Sequence, residues 1–144
     1  MERISTLSPD FEKVSAGVSS NGHKLSLSPD GDFVHSHWQG FVTKKLLITG
    51  ANQCLQLLAQ TKTAALLVDH RSVHGTWADL GDWQENIWLP NALQAGLKKY
   101  VLVAHPGSYS VMAAEPLFSR LHSQLEMMIF SDLDEAKSWL KSGI

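Results

Sequence analysis

Residues 70–90, HRSVHGTWADLGDWQENIWLP, gather side chains that commonly bind small molecules. They contain two histidines, one arginine and three of the five tryptophans of the chain, and they follow the apolar run AALLVD. Imidazole and guanidinium groups can orient a ligand by hydrogen bonds, while indole rings supply apolar contact area. The segment is therefore compatible with a catalytic loop, a ligand pocket or a tightly packed structural corner.

The strands that precede these side chains predict where they meet. If the strands are parallel, their carboxyl ends lie at one edge of a sheet, where open α/β sheets bind ligands. That edge predicts one set of ligand-binding residues, namely Trp38, Asp69, His70, Arg71, Trp77, His105 and Tyr109. The alternative is a structural corner in which Asp69 caps backbone amides and the tryptophans only pack.

Metal binding and catalysis find less support in the residue pattern. His35 and His37 face the same side of a strand, and His70 and His74 have a loop spacing compatible with one ion. No HExxH motif or cysteine pair completes a ligand set, and no glycine-rich phosphate loop or G-x-S-x-G motif is present. Cys54, the single cysteine, falls on the apolar side of a helical pattern. We therefore predict no metal, no cofactor and no enzymatic activity.

The tryptophans of residues 70–90 also suit a protein interface, because tryptophan is common among residues that anchor protein complexes. At α-helical pitch, Trp83 and Trp88 are about 140° apart and cannot both lie at the centre of one helix face. This spacing predicts that at least one of them points toward a neighbouring loop or a partner.

Alternation of polar and apolar residues predicts the elements that position these side chains. HKLSLS and DFVHSHW alternate and flank the turn sequence PDGD, which predicts a β-hairpin. After Thr43, a helix cap, apolar residues recur at helical spacing. AALLVD and YVLVA are typical of buried central strands, and LEMMIF of a last strand before a final helix.

The predicted order is ββαβαβαβα in a single α/β domain. Strands that alternate with helices predict a mostly parallel sheet of about five strands with helices on both faces, whose first strand is antiparallel. Residues 1–22 are weakly patterned and are predicted to form an N-terminal extension before a domain of residues 23–144.

Composition narrows the class of protein further. The chain has 144 residues, a formal net charge of −2 and no basic cluster, so nucleic acid is not a predicted partner. Its apolar runs are far shorter than the roughly 20 residues of a membrane span. One cysteine and a polar start, MERISTLSPD, predict a cytoplasmic protein without a signal peptide.

Three segments, LLVDHR, WQENIWLPNAL and FSDLDEAKSWL, resemble a group of largely uncharacterised bacterial proteins with an anti-sigma-factor-antagonist (STAS) or CRAL-TRIO-like fold. The resemblance covers roughly residues 23–142. Its marks are the apolar strand ending in Asp69 and Arg71, W-L-P at residues 88–90 and the closing pattern F-x-D-x-x-x-A-x-x-W-L. STAS antagonists carry a phosphorylatable serine in an aspartate-serine-serine-glycine-like motif after this strand. That motif is absent here, since neither Ser72 nor Thr76 matches it.

The resemblance implies a non-enzymatic regulatory or protein-interaction module, with a protein partner or a homodimer. The alternative is a carrier or sensor of a small, partly apolar ligand held at the predicted edge of the sheet. A carrier requires a cavity beneath that edge, whereas an interaction module requires an exposed apolar patch or a self-complementary surface.

Overall fold

The computed structural model describes residues 23–75 and 80–142. The strands are β1 (His23–Asp30), β2 (Phe33–Phe41), β3 (Ala65–His74), β4 (Lys99–Val103) and β5 (Glu126–Phe130). The helices are α1 (Lys44–Thr61), α2 (Leu80–Trp83), a π-helix (Gln84–Trp88), α3 (Leu89–Gln94), α4 (Tyr109–Leu121) and α5 (Leu133–Lys141). The proposed extension, residues 1–22, lies outside the described residues. None of the helices in the described ranges is long and apolar enough to span a membrane.

The five strands form one sheet in the order β1-β2-β3-β4-β5. β1 pairs with β2 in the antiparallel direction, and β2 to β5 are parallel. Gly31 makes the hairpin turn between β1 and β2 at a φ of 68°, a conformation that favours glycine. The predicted α/β fold and antiparallel first strand are confirmed.

Most helices share one face of the sheet because the strands are added in sequence order. Right-handed crossovers that always advance in the same direction place every connecting helix on the same side. Face A, which bears Val34, Leu66 and Val68, accordingly packs against α1 to α4. Of the described helices, only α5 packs against face B, which bears Leu67 and Val101, because that helix follows the last strand and is free to fold over the other side.

Helix α1 begins at the predicted cap. The Thr43 hydroxyl accepts a hydrogen bond of 3.2 Å from the backbone N–H of Leu46, so one N–H of the first turn is satisfied. Gly50 of α1 lies against Trp38 of β2, and a Cβ atom at Gly50 would be 2.3 Å from the indole Cη2. The helix therefore approaches the sheet as closely as it does because this residue is glycine.

The helical segment 80–94 changes its hydrogen-bonding pattern before Pro90. The sequence predicts a helix that begins near Asp82 and that Pro90 kinks or ends. In the structure α2 begins at Leu80, and helical structure continues through Pro90 to Gln94. The turn before the proline widens, and the Leu89 N–H donates to the Gln84 carbonyl five residues back. Proline has no N–H and its ring crowds the carbonyl four residues earlier, which a wider π-helical turn accommodates.

The carboxyl end of α5 is tied to β4 by a buried lysine. The Lys99 ammonium lies 4.7 Å from the centroid of the Trp139 ring and donates to the carbonyls of Trp139 and Ser142. The Trp139 carbonyl also accepts from the backbone N–H and the hydroxyl of Ser142, which caps the helix. Lys99 thus adds a hydrogen bond from the sheet to this cap and holds α5 on face B.

Candidate functional site

A cavity lies on face A between the sheet and the helices α1, α2 and α4. It consists of two adjoining pockets of about 40 and 50 Å³. Five lining residues are common to both pockets: Leu47, His70, Leu80, Gln84 and Tyr100. Both pockets are smaller than the roughly 300–1,000 Å³ of most small-molecule sites, and we call the space that they form the face A cavity.

Aromatic rings form much of its wall. The rings of Trp38 and His70 meet edge to face at 5.4 Å between centroids. Tyr100 lies edge to face with Trp88 on one side, at 6.1 Å, and with Phe118 on the other, at 5.6 Å. These are favourable geometries for aromatic pairs, so the rings hold one another in fixed orientations around the cavity.

The π-helix explains why both Trp83 and Trp88 line this cavity. The prediction that at least one of them points away toward a loop or a partner is wrong, because it assumed α-helical pitch. A π-helix closes its hydrogen bonds five residues apart. Residues 83 and 88 therefore come close to one full turn and project to the same side.

Hydrogen bonds from their Nε1–H groups fix the orientations of the Trp38 and Trp88 rings. The Trp38 Nε1–H donates to the Ser36 hydroxyl at 3.2 Å, and this hydroxyl donates to the Leu67 carbonyl at 2.8 Å. The Trp88 Nε1–H donates to the Ala51 carbonyl at 2.8 Å. Buried indole N–H groups need such partners, and these bonds leave the ring surfaces to pack or to contact a ligand.

His70 and Ser110 place polar groups in the wall. His70 Nδ1 lies 3.1 Å from the Ser110 hydroxyl, and Ser110 belongs to the first turn of α4. Burial lowers the pKa of His70 to about 4, against a smaller opposite effect of the Asp69 charge. The imidazole is therefore neutral at neutral pH.

Two further lining groups stay protonated. Burial raises the pKa of the Cys54 thiol to about 12, which excludes a reactive thiolate at neutral pH. Burial also raises the pKa of the Tyr100 phenol. Cys54 is packed in the core, as its position on the apolar side of α1 predicts.

Asp69 and Arg71 lie on face B and not at the cavity. Successive residues of a strand point to opposite faces, so His70 turns toward face A while its two neighbours turn away. The Arg71 guanidinium binds the Asp69 carboxylate through two hydrogen bonds of 3.0 and 2.9 Å, and the Arg71 backbone N–H adds a third of 3.1 Å. His37 Nε2 is 4.0 Å from the same carboxylate.

The pairing with Arg71 determines the direction in which the pKa of Asp69 shifts. Burial by itself raises the pKa of the carboxyl, but the hydrogen bonds and the charge of Arg71 outweigh burial and hold the pKa below its ordinary value. Asp69 is 1% exposed. An ionised carboxylate at such a position needs its partner, so the pair supports the fold.

The other predicted site residues are dispersed. Tyr109 begins α4 and packs against the face A core, and His105 is exposed in the loop after β4. Trp77 and Thr76 lie outside the described residues, and Ser72 is exposed on β3. The structure thus brings Trp38 and His70 together at the cavity and separates Asp69 and Arg71 from them. Ligand binding by any of these residues remains a prediction.

Several cavity residues were missed by the sequence analysis, among them Gln84, Tyr100, Ser110 and Phe118. The alternation within β3 was a usable signal, because it already divides His70 from its neighbours. The helical residues carry no such signal, because their approach to the sheet depends on tertiary packing. In the described ranges, no group of three or more histidine, cysteine, aspartate or glutamate side chains is arranged to hold a metal ion.

A five-stranded, mostly parallel sheet with helices on both faces defines a class of α/β domain found among anti-sigma-factor antagonists. The chain resembles an anti-sigma factor antagonist from Mycobacterium paratuberculosis with a TM-score of 0.52 and 11% identity, over 85% of this chain and 97% of the other. It also resembles an uncharacterised protein of the DUF3478 family with a SpoIIAA-like fold from Shewanella loihica PV-4. For that pair the TM-score is 0.51 and the identity 21%, over 86% of this chain and 99% of the other.

The family is identified by the sequence itself. The family model SpoIIAA-like matches residues 33–141, so the chain belongs to the SpoIIAA-like family. The predicted resemblance to STAS-like proteins is confirmed. No curated protein matches the sequence significantly.

Proposed function

We propose that the protein is a non-enzymatic regulatory module that acts by binding another protein. The observation that carries this proposal is the exposure of two large apolar side chains at the carboxyl edge of the sheet. Phe41, the last residue of β2, is 57% exposed, and Met112, in the first turn of α4, is 62% exposed. Exposed apolar groups at one edge favour a docking surface, and membership of the SpoIIAA-like family supports a regulatory role.

The partner is a protein, or a second copy of this chain. Two polar residues, His74 and His105, are also exposed at this edge of the sheet. An apolar centre with a polar rim is the usual composition of a protein interface.

We also infer a cytoplasmic location, because the single cysteine is a buried free thiol, as is usual in a reducing compartment.

Site-specific photo-crosslinking in the native host tests the proposal. A photoreactive phenylalanine at Met112 is expected to give a discrete covalent adduct, either with a second protein or at twice the mass of the chain. The matched control is the same group at Lys141, which is exposed at the end of α5. That end lies beside Lys99 at the start of β4, and therefore at the opposite edge of the sheet. Equal labelling from both positions, or no adduct from Met112, contradicts the proposal.

A second candidate is a carrier or sensor of a small, partly apolar ligand, and the face A cavity is the observation that favours it. The cavity lies beneath the predicted edge, where a carrier would hold its ligand. Native mass spectrometry of the protein from its own host is expected to show an additional mass of a small molecule on each chain. Only bare chains, under conditions that preserve noncovalent complexes, would count against this candidate.

A further inference from the structure

We infer that two copies of the chain pair through the outer side of β5, the side away from β4, and so form one continuous sheet. β5 (Glu126–Phe130) is the last strand in the order of the sheet, and no other strand of the described residues lies beyond it. This side is distinct from the carboxyl edge that holds Phe41 and Met112, and the inference does not depend on that docking surface.

Backbone hydrogen-bonding groups are available on the outer side of β5. The Glu126 N–H donates to the Lys98 carbonyl at 3.0 Å, so Glu126 turns its backbone groups toward β4. Successive residues of a strand turn their backbone groups to opposite sides, and Met127 and Ile129 therefore turn theirs outward. Their N–H and C=O groups lie where an added strand can bond them.

The side chains of β5 do not protect this edge against pairing. Edge strands usually avoid pairing through charged side chains, proline or a bulge. Residues 127–130 are all apolar, and β5 pairs with β4 without a bulge. The other edge strand, β1, contains Pro29, which has no N–H to offer to a further strand. Met128 is 40% exposed and lies beside Val101 on face B, so the unprotected edge also carries apolar surface.

The occupant of this edge is a second copy because the outward groups are self-complementary. In an antiparallel pair with a two-fold axis at Met128, Met127 of each copy lies opposite Ile129 of the other. Each such pair exchanges two hydrogen bonds, and all the outward groups are satisfied. The two Met128 side chains then cover each other on face B. Glu126 lies opposite Phe130 of the other copy, so no like charges oppose each other across the pair.

The expected dimer is reversible. A strand of 5 residues is much shorter than the roughly 20–30 residues that each partner contributes to a standard interface. The hydrogen bonds of one short strand and the contact between two methionines therefore give a modest affinity, and the fraction of dimer is expected to rise with concentration.

Sedimentation equilibrium of the full chain over a wide range of concentration tests the inference. The original chain is expected to show a monomer–dimer equilibrium. Met128→Lys places two ammonium groups opposite each other at the axis, which is expected to weaken dimerisation by at least about tenfold. Ile87→Lys is the matched control, because Ile87 is 53% exposed and lies on the π-helix, outside β5. We expect this control to dimerise as the original chain does.

Disulfide formation tests the register of the pair. In the proposed dimer the Cα atoms of the two residues at position 128 are about 4.5 Å apart, a separation that a disulfide can span. Met128→Cys is therefore expected to form a disulfide-linked dimer on mild oxidation at least about tenfold faster than Ile87→Cys. Cys54 does not compete, because it is buried and burial raises the pKa of its thiol. Circular dichroism confirms that each variant folds, and Met128→Cys serves if Met128→Lys does not fold.

A chain that stays monomeric at every concentration overturns the inference and leaves the outer side of β5 to an extended segment of another protein. The inference is also overturned if Met128→Lys dimerises as tightly as the original chain, or if Met128→Cys forms the disulfide no faster than Ile87→Cys.

Discussion

Arg71→Met is expected to lower the free energy of unfolding by about 3 kcal/mol at neutral pH. The substitution leaves the buried Asp69 carboxylate without the guanidinium that binds it through two hydrogen bonds. The value is at the lower end of the range for breaking a buried ion pair. This is because the backbone N–H of residue 71 still donates to the carboxylate and His37 lies 4.0 Å away. Urea unfolding followed by circular dichroism measures the change.

The double variant Asp69→Asn with Arg71→Met is the matched control. It removes both charges, so no ionised group remains buried without a partner, and most of the lost stability is expected to return. If the double variant is less stable than Arg71→Met, or if Arg71→Met costs under about 1 kcal/mol, the pair does not support the fold as described. Arg71 and Asp69 would then again be candidates for a functional role.

The pH dependence of this pair has a definite sign. Because the folded pKa of Asp69 is lower than its ordinary value of 3.8, the folded state holds the carboxylate ionised more readily than the unfolded state does. The stabilisation is fully present above the ordinary value and is lost as pH falls through the folded pKa. The difference in stability between the original chain and Arg71→Met is therefore expected to be largest at neutral pH and to shrink in acid.

His70→Asn is expected to remove a large part of the pH dependence of stability between pH 6.5 and 4. The His70 pKa falls from 6.5 to about 4 on burial, so the unfolded chain binds a proton in this window that the folded chain does not. The contribution is fully present above pH 6.5 and is lost as pH falls toward 4, by on the order of 3 kcal/mol. Asparagine has no titratable group and can keep a hydrogen bond to Ser110.

Urea unfolding at several pH values from 7 to 4.5 measures this difference between the original chain and His70→Asn. His105→Asn is the matched control because His105 is exposed, and we expect it to keep the pH dependence of the original chain. Some slope remains in His70→Asn from other groups, among them His35, whose pKa burial also lowers. Parallel curves for the original chain and His70→Asn would show that His70 is not buried in its neutral form.

The fold class was predictable because its signals are local. Apolar runs such as AALLVD predict buried strands, the sequence PDGD predicts a hairpin turn, and Thr43 predicts the start of α1. Alternation of strands and helices then restricts the topology to a mostly parallel sheet, since right-handed crossovers are nearly universal. The family resemblance rested on these same segments and is confirmed.

The candidate site was only partly predictable, because its members come from separate elements. Trp38 and His70 follow from strand position and from the rule that ligands bind at carboxyl ends of parallel strands. The same rule grouped Asp69 and Arg71 with them, although the alternation of side chains along β3 sends those two to the other face. A position near the end of a strand does not by itself decide toward which face of the sheet the side chain points.

The sequence by itself determined the α/β class, the order of the elements and the antiparallel first strand, because each depends on patterns within a few neighbouring residues. Only the tertiary structure decided that α1 to α4 share face A, that a π-helical turn before Pro90 brings Trp83 and Trp88 to one wall, and that a cavity lies beneath them. Those features depend on how closely elements distant in the chain approach one another. That approach is set by contacts such as Gly50 against Trp38, and no local pattern encodes it.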